Sequence, residues 1–273
     1  MNRYTWRTFI LEAVMVLVGV LFFLPVYILV NLALKSPDDQ SSPLAPVTSA
    51  TFQNFADAWS QANLGQALLT SAFVTVFSVA VIVAVSAVAA YPLARVTKRW
   101  SRWMFFVFMV GLLLPFQLAL IPLYTTIRDL GLLGNPLSLV LYYAGLQVPF
   151  SVFLYTGFIR AVPLDYEEAA SIDGAGPIRS FFSVIFPLVR PITGTVIILN
   201  VLHVWNDFLT PLLYLSGSSQ QTVPVALFSF VSQYVSQWNL VFAGLVITVA
   251  PILLAYFAMQ KTIIKGFASG LKG

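Results

Sequence analysis

Residues 13–30 read AVMVLVGVLFFLPVYILV, an uncharged and almost wholly apolar run. A helix needs about 20 apolar residues to cross a hydrocarbon core about 30 Å thick. Arg3 and Arg7 precede the run, as basic residues precede the core of a signal peptide. A signal-peptide core is only about 7–15 residues long, however, and a small-residue cleavage site follows it. The stretch therefore predicts a retained first membrane-spanning helix.

The composition of the whole chain agrees with this interpretation. Of 273 residues, 59% are hydrophobic and 9% are charged, whereas a soluble domain carries about 25% charged residues. There is no cysteine, which excludes disulfides, thiol nucleophiles and cysteine-ligated metals. The net charge of +4 is small and scattered, and it gives no indication of nucleic-acid binding.

Five further neutral runs extend the pattern. We expect an all-α polytopic membrane protein with six transmembrane helices, organised as a single membrane domain over residues 1–273. Pro115 and Pro122 should kink the third helix, because a proline removes a backbone donor and crowds the preceding turn. The predicted spans lie within residues 13–34, 67–94, 103–127, 130–159, 191–215 and 240–259.

The distribution of basic residues predicts the orientation. With the amino terminus inside, the inner face receives 12 of the 14 lysines and arginines, and the outer face receives only Lys35 and Arg128. Since cytoplasmic loops carry the excess of lysine and arginine, both termini should be cytoplasmic. The outer loops are then about 35–66 and 216–239, and a long cytoplasmic loop covers about 160–190.

This cytoplasmic loop reads RAVPLDYEEAASIDGAGPIRSFFSVIFPLVR. An acidic first helix, a stop at Gly174 and a second helix from Pro177 to Pro187 are predicted. Connections between helices are commonly about 2–8 residues long, so a loop of this length favours a docking site for another protein over a simple connection.

The loop also resembles a known signature. Glu168-Ala169-Ala170, then Gly174, then Val184-Ile185-Phe186-Pro187 is similar to the EAA motif of integral-membrane subunits of bacterial ABC importers, with Val184 and Phe186 where isoleucine and leucine are usual. Further segments resemble the carbohydrate branch of this family, close to the second permease of the maltose-type importer. They are residues 89–95 (AAYPLAR), Pro115-x-Gln117 with residues 121–124 (IPLY), residues 205–209 (WNDFL) and the tail from Lys265-Gly266 to Lys272-Gly273.

The resemblance implies a role for the loop as the coupling helix that contacts an ATP-hydrolysing subunit. Glu167 and Glu168 would supply carboxylates, Ala169 and Ala170 would permit close approach, and Gly174 would permit the turn. Asp173 would brace that turn, and Pro187 closes the motif.

The resemblance further implies a permease that translocates a sugar or related polar solute by alternating access. Its partners would be a second permease subunit, two ATP-binding subunits, an extracytoplasmic solute-binding protein and lipid of the bacterial cytoplasmic membrane. The sequence has no G-x-x-x-x-G-K-[ST] loop. We therefore expect no catalytic residue and no cofactor on this chain, with ATP and Mg²⁺ used by the partner subunits.

Several polar residues fall within predicted spans. His203 and Asp207 are four apart and therefore on one helix face, with Asn200 nearby on the same side. They could form a proton relay or a substrate site, or an interhelical hydrogen-bond network. The first alternative would make the protein a proton-coupled secondary transporter. Asn206 belongs to the same set, and Gln117 is a candidate for lining the translocation path or for capping carbonyls freed by Pro115. Lone His203 predicts no metal site.

Overall fold

The computed structural model describes residues 5–39, 41–113, 115–231 and 237–251, together with positions 253 and 257. The side chain of Gln117 lies outside this description, so the prediction made for it stays a prediction. The end of the sixth predicted span and the motifs of the carboxy-terminal tail also lie outside the described residues.

The described chain is built of helices, which confirms the all-α class. The helices are α1 (Trp6–Leu34), α2 (Gln53–Gln61), α3 (Leu64–Arg95), α4 (Arg99–Leu113), α5 (Phe116–Asp129), α6 (Pro136–Ala161), α7 (Asp165–Ile172), α8 (Pro177–Ser180), α9 (Phe186–Leu188), α10 (Arg190–Asn206), α11 (Leu209–Tyr214), α12 (Val223–Phe228) and α13 (Trp238–Pro251). A π-helical turn, Phe181–Ile185, joins α8 to α9.

Three helices within the described ranges, α1, α3 and α6, are each long and apolar enough to cross a membrane. The number rises to 5 if α4 with α5, and α8–α9 with α10, each form one bent span. Helix α13 is apolar but shorter. The prediction of six crossings therefore stays a prediction, as does the orientation of the termini.

Pro115 breaks the third predicted span. Helix α4 ends at Leu113, and Pro115 takes an extended conformation (φ −62°, ψ 120°) before α5 begins. Pro122 lies inside α5, where the hydroxyls of Thr125 and Thr126 donate hydrogen bonds to its carbonyl. Side chains thus bond to the backbone beside a proline, as is common in membrane helices.

The start of α6 shows how local sequence sets a helix boundary. Asn135 is extended, and its Oδ1 accepts a 2.9 Å hydrogen bond from the Leu137 N–H. Pro136 follows at the first helical position, where its missing donor costs nothing. This fixes the beginning of a helix of 26 residues.

The chain divides into two compact units. The first unit holds the described residues up to 65 and those of 226–253. Within it, the loop after α1 is tied to that helix by buried polar groups. Asn31 Nδ2 donates to the carbonyls of Pro43 and Ala45, and the Nζ of Lys35, whose side chain is 2% exposed, donates to the Ser42 carbonyl.

The second unit contains residues 66–225, and its packing positions the loop of residues 160–190. One apolar core joins α3, α6, the π-helical turn and α10. A second core surrounds Tyr142, Tyr143 and Tyr214. The members of the first core are Ala87, Ala90, Leu93, Val152, Tyr155, Ile159, Phe181, Ile185, Val189 and Val196.

Candidate functional site

The helix–turn–helix predicted within residues 160–190 is present. Helix α7 carries Asp165, Glu167 and Glu168 in its first turn, where acidic groups interact favourably with the helix dipole. The turn that follows is closed by backbone hydrogen bonds, including one of 2.9 Å from the Ala175 N–H to the Ala170 carbonyl. Gly174 has φ +79°, a left-handed conformation that glycine adopts without steric cost.

The surface of this turn is apolar as well as acidic. Ile172 is 87% exposed and Ile178 is 77% exposed. Glu168 and Ala169 are also exposed, and Ala170 is half-buried. An apolar and acidic surface of this kind is typical of a site that another protein covers.

Glu167 differs from Glu168, although the sequence suggested the same role for both. Its Oε1 forms an ion pair with Arg95 Nε, and its Oε2 accepts a 2.7 Å hydrogen bond from the Tyr91 hydroxyl. Both partners lie at the end of α3 in the same chain. The Glu167 side chain is 15% exposed. Glu167 therefore satisfies its charge internally, and Glu168 is the carboxylate left on the surface.

Asp173 and Pro187 also differ from expectation. Asp173 is the residue after α7, and its backbone N–H bonds to the Ala169 carbonyl, so the backbone closes the turn without the predicted side-chain brace. Pro187 was expected to end the second helix, but α9 continues to Leu188. The preceding π-helical turn bonds the Phe186 N–H to the Phe181 carbonyl, a wider register that accommodates the proline.

Sequence reasoning missed the residues of α3 that hold this loop. Arg95 Nη2 donates to the Val162 carbonyl over 2.9 Å, and Arg160 Nη2 donates to the Leu93 carbonyl over 3.3 Å. Tyr91 packs against Phe181 with ring centroids 5.2 Å apart. For Tyr91, Leu93 and Arg95, the only signal in the sequence was their place in the segment of residues 89–95, at the end of the second apolar run.

The polar residues of the fifth predicted span do not share one continuous helix. Helix α10 ends at Asn206, and Asp207 is extended with ψ 131°. His203 and Asp207 both contact Tyr143 of α6, as their predicted place on one face requires. The Asp207 carboxylate accepts a 2.9 Å bond from the Tyr143 hydroxyl and a 3.1 Å bond from the Leu209 N–H. Its position at the break lets it cap the start of α11.

The remaining polar residues of α10 have separate surroundings. Asn200 is buried, and its Nδ2 donates to Ser151 Oγ on α6 over 3.2 Å. Asn206 is exposed and bonds to the Leu202 carbonyl in its own helix. His203 is exposed and lies edge-on to Tyr143, with ring centroids 6.2 Å apart. These contacts favour an interhelical network over a relay.

A cavity of about 570 Å³ lies in the second unit, at the beginnings of α3 and α6. Its polar lining is uncharged and includes the amides of Gln66, Asn135 and Gln220. Phe73 contributes an aromatic ring to the wall. Leu69, Pro136 and Leu137 complete the lining, so most of the wall is apolar.

Residues 82–268 match the family of binding-protein-dependent transport system inner membrane components. The chain belongs to this family. The match includes the loop of residues 160–190 and the segment with Asp207, which confirms the resemblance to ABC-importer permeases. As a member, the chain is a multi-pass membrane transport subunit that associates with other subunits of its transporter.

Three curated relatives are named as permeases for saccharides or for products of starch degradation. The melibiose/raffinose/stachyose import permease protein MelC of Bacillus subtilis is 33% identical over 91% of this chain and 90% of its own. The probable starch degradation products transport system permease protein AmyC of Thermoanaerobacterium thermosulfurigenes is 32% identical over 99% and 98%. The diacetylchitobiose uptake permease NgcG of Streptomyces coelicolor is 33% identical over 95% and 87%.

A solved structure supports the fold of this family member. A chain of a bacterial ABC transporter involved in the import of the acidic polysaccharide alginate matches with a TM-score of 0.80, at 22% sequence identity. The match covers 96% of this chain and 99% of the other. The helical arrangement is therefore that of an ABC-importer permease.

Proposed function

We propose that the protein is one of two permease subunits of an ATP-driven importer in the bacterial cytoplasmic membrane. It pairs with a second permease, two ATP-binding subunits and an extracytoplasmic solute-binding protein. ATP and Mg²⁺ are bound by the partner ATPases and not by this chain. Residues 1–273 act as a single permease domain with six crossings and both termini in the cytoplasm.

The observation that carries this proposal is the exposed turn between α7 and α8. Ile172 and Ile178 are large apolar side chains that face outward beside Glu168. Burying one such side chain contributes about 1.5–3 kcal/mol. The turn thus has the composition of a docking element. Because the chain belongs to a family of binding-protein-dependent transporters, the partner we infer is an ATP-binding subunit.

The proposed solute is a sugar or a related neutral polar compound. Three relatives named above are sugar permeases, and the cavity lined by Gln66, Asn135 and Gln220 has no charged residue in its wall. A neutral wall with amide groups suits hydroxyl-rich ligands and lacks the basic groups that an anionic solute needs.

The mechanism is alternating access. ATP binding closes the two ATPase subunits, the docked α7–α8 turn moves with them, and the attached membrane helices open the solute path outward. Hydrolysis reverses the movement. Asp207, Asn200 and their partners hold the helices in register during these changes and transfer no proton.

Reconstitution tests the proposal directly. The chain is co-expressed with a second permease and ATP-binding subunits encoded in the same genome and purified by an affinity tag, and ATPase co-purification is measured. Uptake of labelled melibiose, maltose and diacetylchitobiose into proteoliposomes is then compared with and without ATP and a protonophore. The proposal predicts ATP-dependent uptake that survives the protonophore. Uptake driven by a proton gradient without ATP would overturn it.

A further inference from the structure

The end of α3 and the start of α7 are joined by a network that the docking role does not require. Arg95, the last residue of α3, pairs with Glu167 in α7 across 72 residues of sequence. The Arg95 side chain is 12% exposed and that of Glu167 is 15% exposed. Arg95 also donates to the Val162 carbonyl just after α6. One guanidinium therefore contacts the ends of two membrane helices and the loop helix.

Tyr91 completes the network from the preceding turn of α3. Its hydroxyl donates to the Glu167 oxygen that Arg95 does not use, and its ring packs on Phe181 in the π-helical turn. Both carboxylate oxygens of Glu167 are thus held by α3. Two fixed donors restrain the position of the carboxylate and its orientation as well.

The two adjacent glutamates therefore have different surroundings. Glu168 is exposed and free to meet a basic group of another subunit. Glu167 would have to leave Arg95 and Tyr91 before it could do so. Separating a largely buried ion pair leaves an uncompensated charge on each side, which is strongly unfavourable. Glu167 is better suited to holding α7 than to binding the ATPase.

We propose that Glu167 is a positioning residue which, with Arg95 and Tyr91, fastens the coupling helix α7 to the cytoplasmic end of α3. The inference rests on the proposed docking of α7 to an ATPase subunit. Helix α7 is connected by short loops to α6 and α8, whereas α3 is far from it in sequence. Because the network links the two helices directly, a displacement of α7 also displaces α3, a helix of 32 residues.

Spin-label distances test this fastening. Because the natural chain has no cysteine, labels are placed at Ser171→Cys in α7 and Val88→Cys in α3, in a complex whose partner subunits carry no cysteine. The distance is measured without nucleotide and after trapping with ATP and vanadate. In the parent complex we expect the same distance in both states. In Glu167→Gln we expect the distance to change or its distribution to broaden on trapping.

Activity gives a second measurement. Glu167→Gln should keep its ATPase subunits, yet uptake of the labelled disaccharide that the parent complex transports should fall about tenfold, within the 5–150-fold range typical of couplings between sites. The double variant Arg95→Gln/Glu167→Gln should lose less than the two single variants combined, because the residues act as a unit. Tyr91→Phe keeps the ring on Phe181 and should lose less.

Asp165→Asn is the matched control, since it removes one exposed carboxylate from the same helix turn. It should retain the parent distances and uptake. The fastening role would be overturned if Glu167→Gln kept the distances and uptake of the parent complex. It would also be overturned if the distance in the parent complex changed on trapping. Neither result would affect the proposed function. If no ATPase subunit co-purified with the unmutated chain, the proposed function would be overturned, and this inference with it.

Discussion

The Tyr143 hydroxyl donates a 2.9 Å hydrogen bond to Asp207 Oδ2, which joins the first half of α6 to the break between α10 and α11. The other oxygen of Asp207 accepts from the Leu209 N–H. An acidic residue in a membrane segment invites a proton-transfer interpretation. Here each oxygen has a structural donor, so the carboxylate holds two helices and starts a third.

Asp207→Asn should therefore preserve transport within a factor of about three, because an asparagine oxygen can still accept one of these bonds and one lost net hydrogen bond costs about 0.5–1.5 kcal/mol. Asp207→Ala should lower the thermal stability of the purified complex more strongly. Initial uptake rates and melting temperatures check this, with exposed Asn206→Ala as the control. Complete loss of uptake in a stable Asp207→Asn complex would support a relay instead.

Gly174 sets the geometry of the turn after α7, and replacing it tests that requirement. At φ +79° an alanine is strained by about 1–2 kcal/mol. We expect Gly174→Ala to reduce the amount of ATPase that co-purifies, while the chain still inserts into the membrane. Gly176→Ala is the matched control, because Gly176 has φ −72°, which alanine adopts freely. Equal ATPase recovery from both variants would show that the turn geometry does not matter for docking.

Ile172 provides a test of apolar docking. The side chain is 87% exposed in the chain alone, so Ile172→Ser should leave folding unchanged. If an ATPase subunit covers it, the lost burial of about 1.5–3 kcal/mol weakens that association by about 10- to 150-fold. Titration of the ATPase subunit against permease in nanodiscs measures the change. Leu44→Ser, at a 54% exposed position of the first unit, should bind as the parent does.

The Asn200–Ser151 contact predicts a small and measurable coupling between α10 and α6. The side-chain hydrogen bond is 3.2 Å long and buried. Interhelical hydrogen bonds in membrane proteins average about 0.6 kcal/mol in double-mutant cycles. Alanine variants of each residue and of both, unfolded in detergent, should give a coupling of that size. If the loss of unfolding free energy in the double variant equalled the sum of the losses in the two single variants, a direct interaction would be contradicted.

Much of the helical architecture was predictable because one physical signal encodes it. Residues 13–30 and 67–94 are long neutral runs that fall within α1 and α3, and the neutral run 130–159 contains α6 from residue 136 onward. Pro115 was expected to disturb the third run, and it does so by separating α4 from α5. Such features depend on a few consecutive residues.

The site was harder to predict where it depends on distant residues. The exposed turn at Gly174 follows from local residue types, but the partners of Glu167 are 72 and 76 residues away. No local pattern distinguishes Glu167 from Glu168. The break at Asp207 had a local signal that was overlooked, because Pro211 lies four residues later and cannot donate a hydrogen bond to the Asp207 carbonyl. The hydrogen bond from Tyr143 stabilises the extended conformation from outside the segment.

The central claim is that the α7–α8 turn binds an ATP-hydrolysing subunit, and site-specific cross-linking tests it most directly. A photo-activatable cross-linker is attached to Ile172→Cys in the natural cysteine-free background, and the assembled complex is illuminated in native membranes. The account predicts a covalent product between this chain and the ATPase subunit, reduced when the label is moved to Leu44→Cys. Recovery of a complex with full ATPase content and no cross-link from position 172 would contradict it.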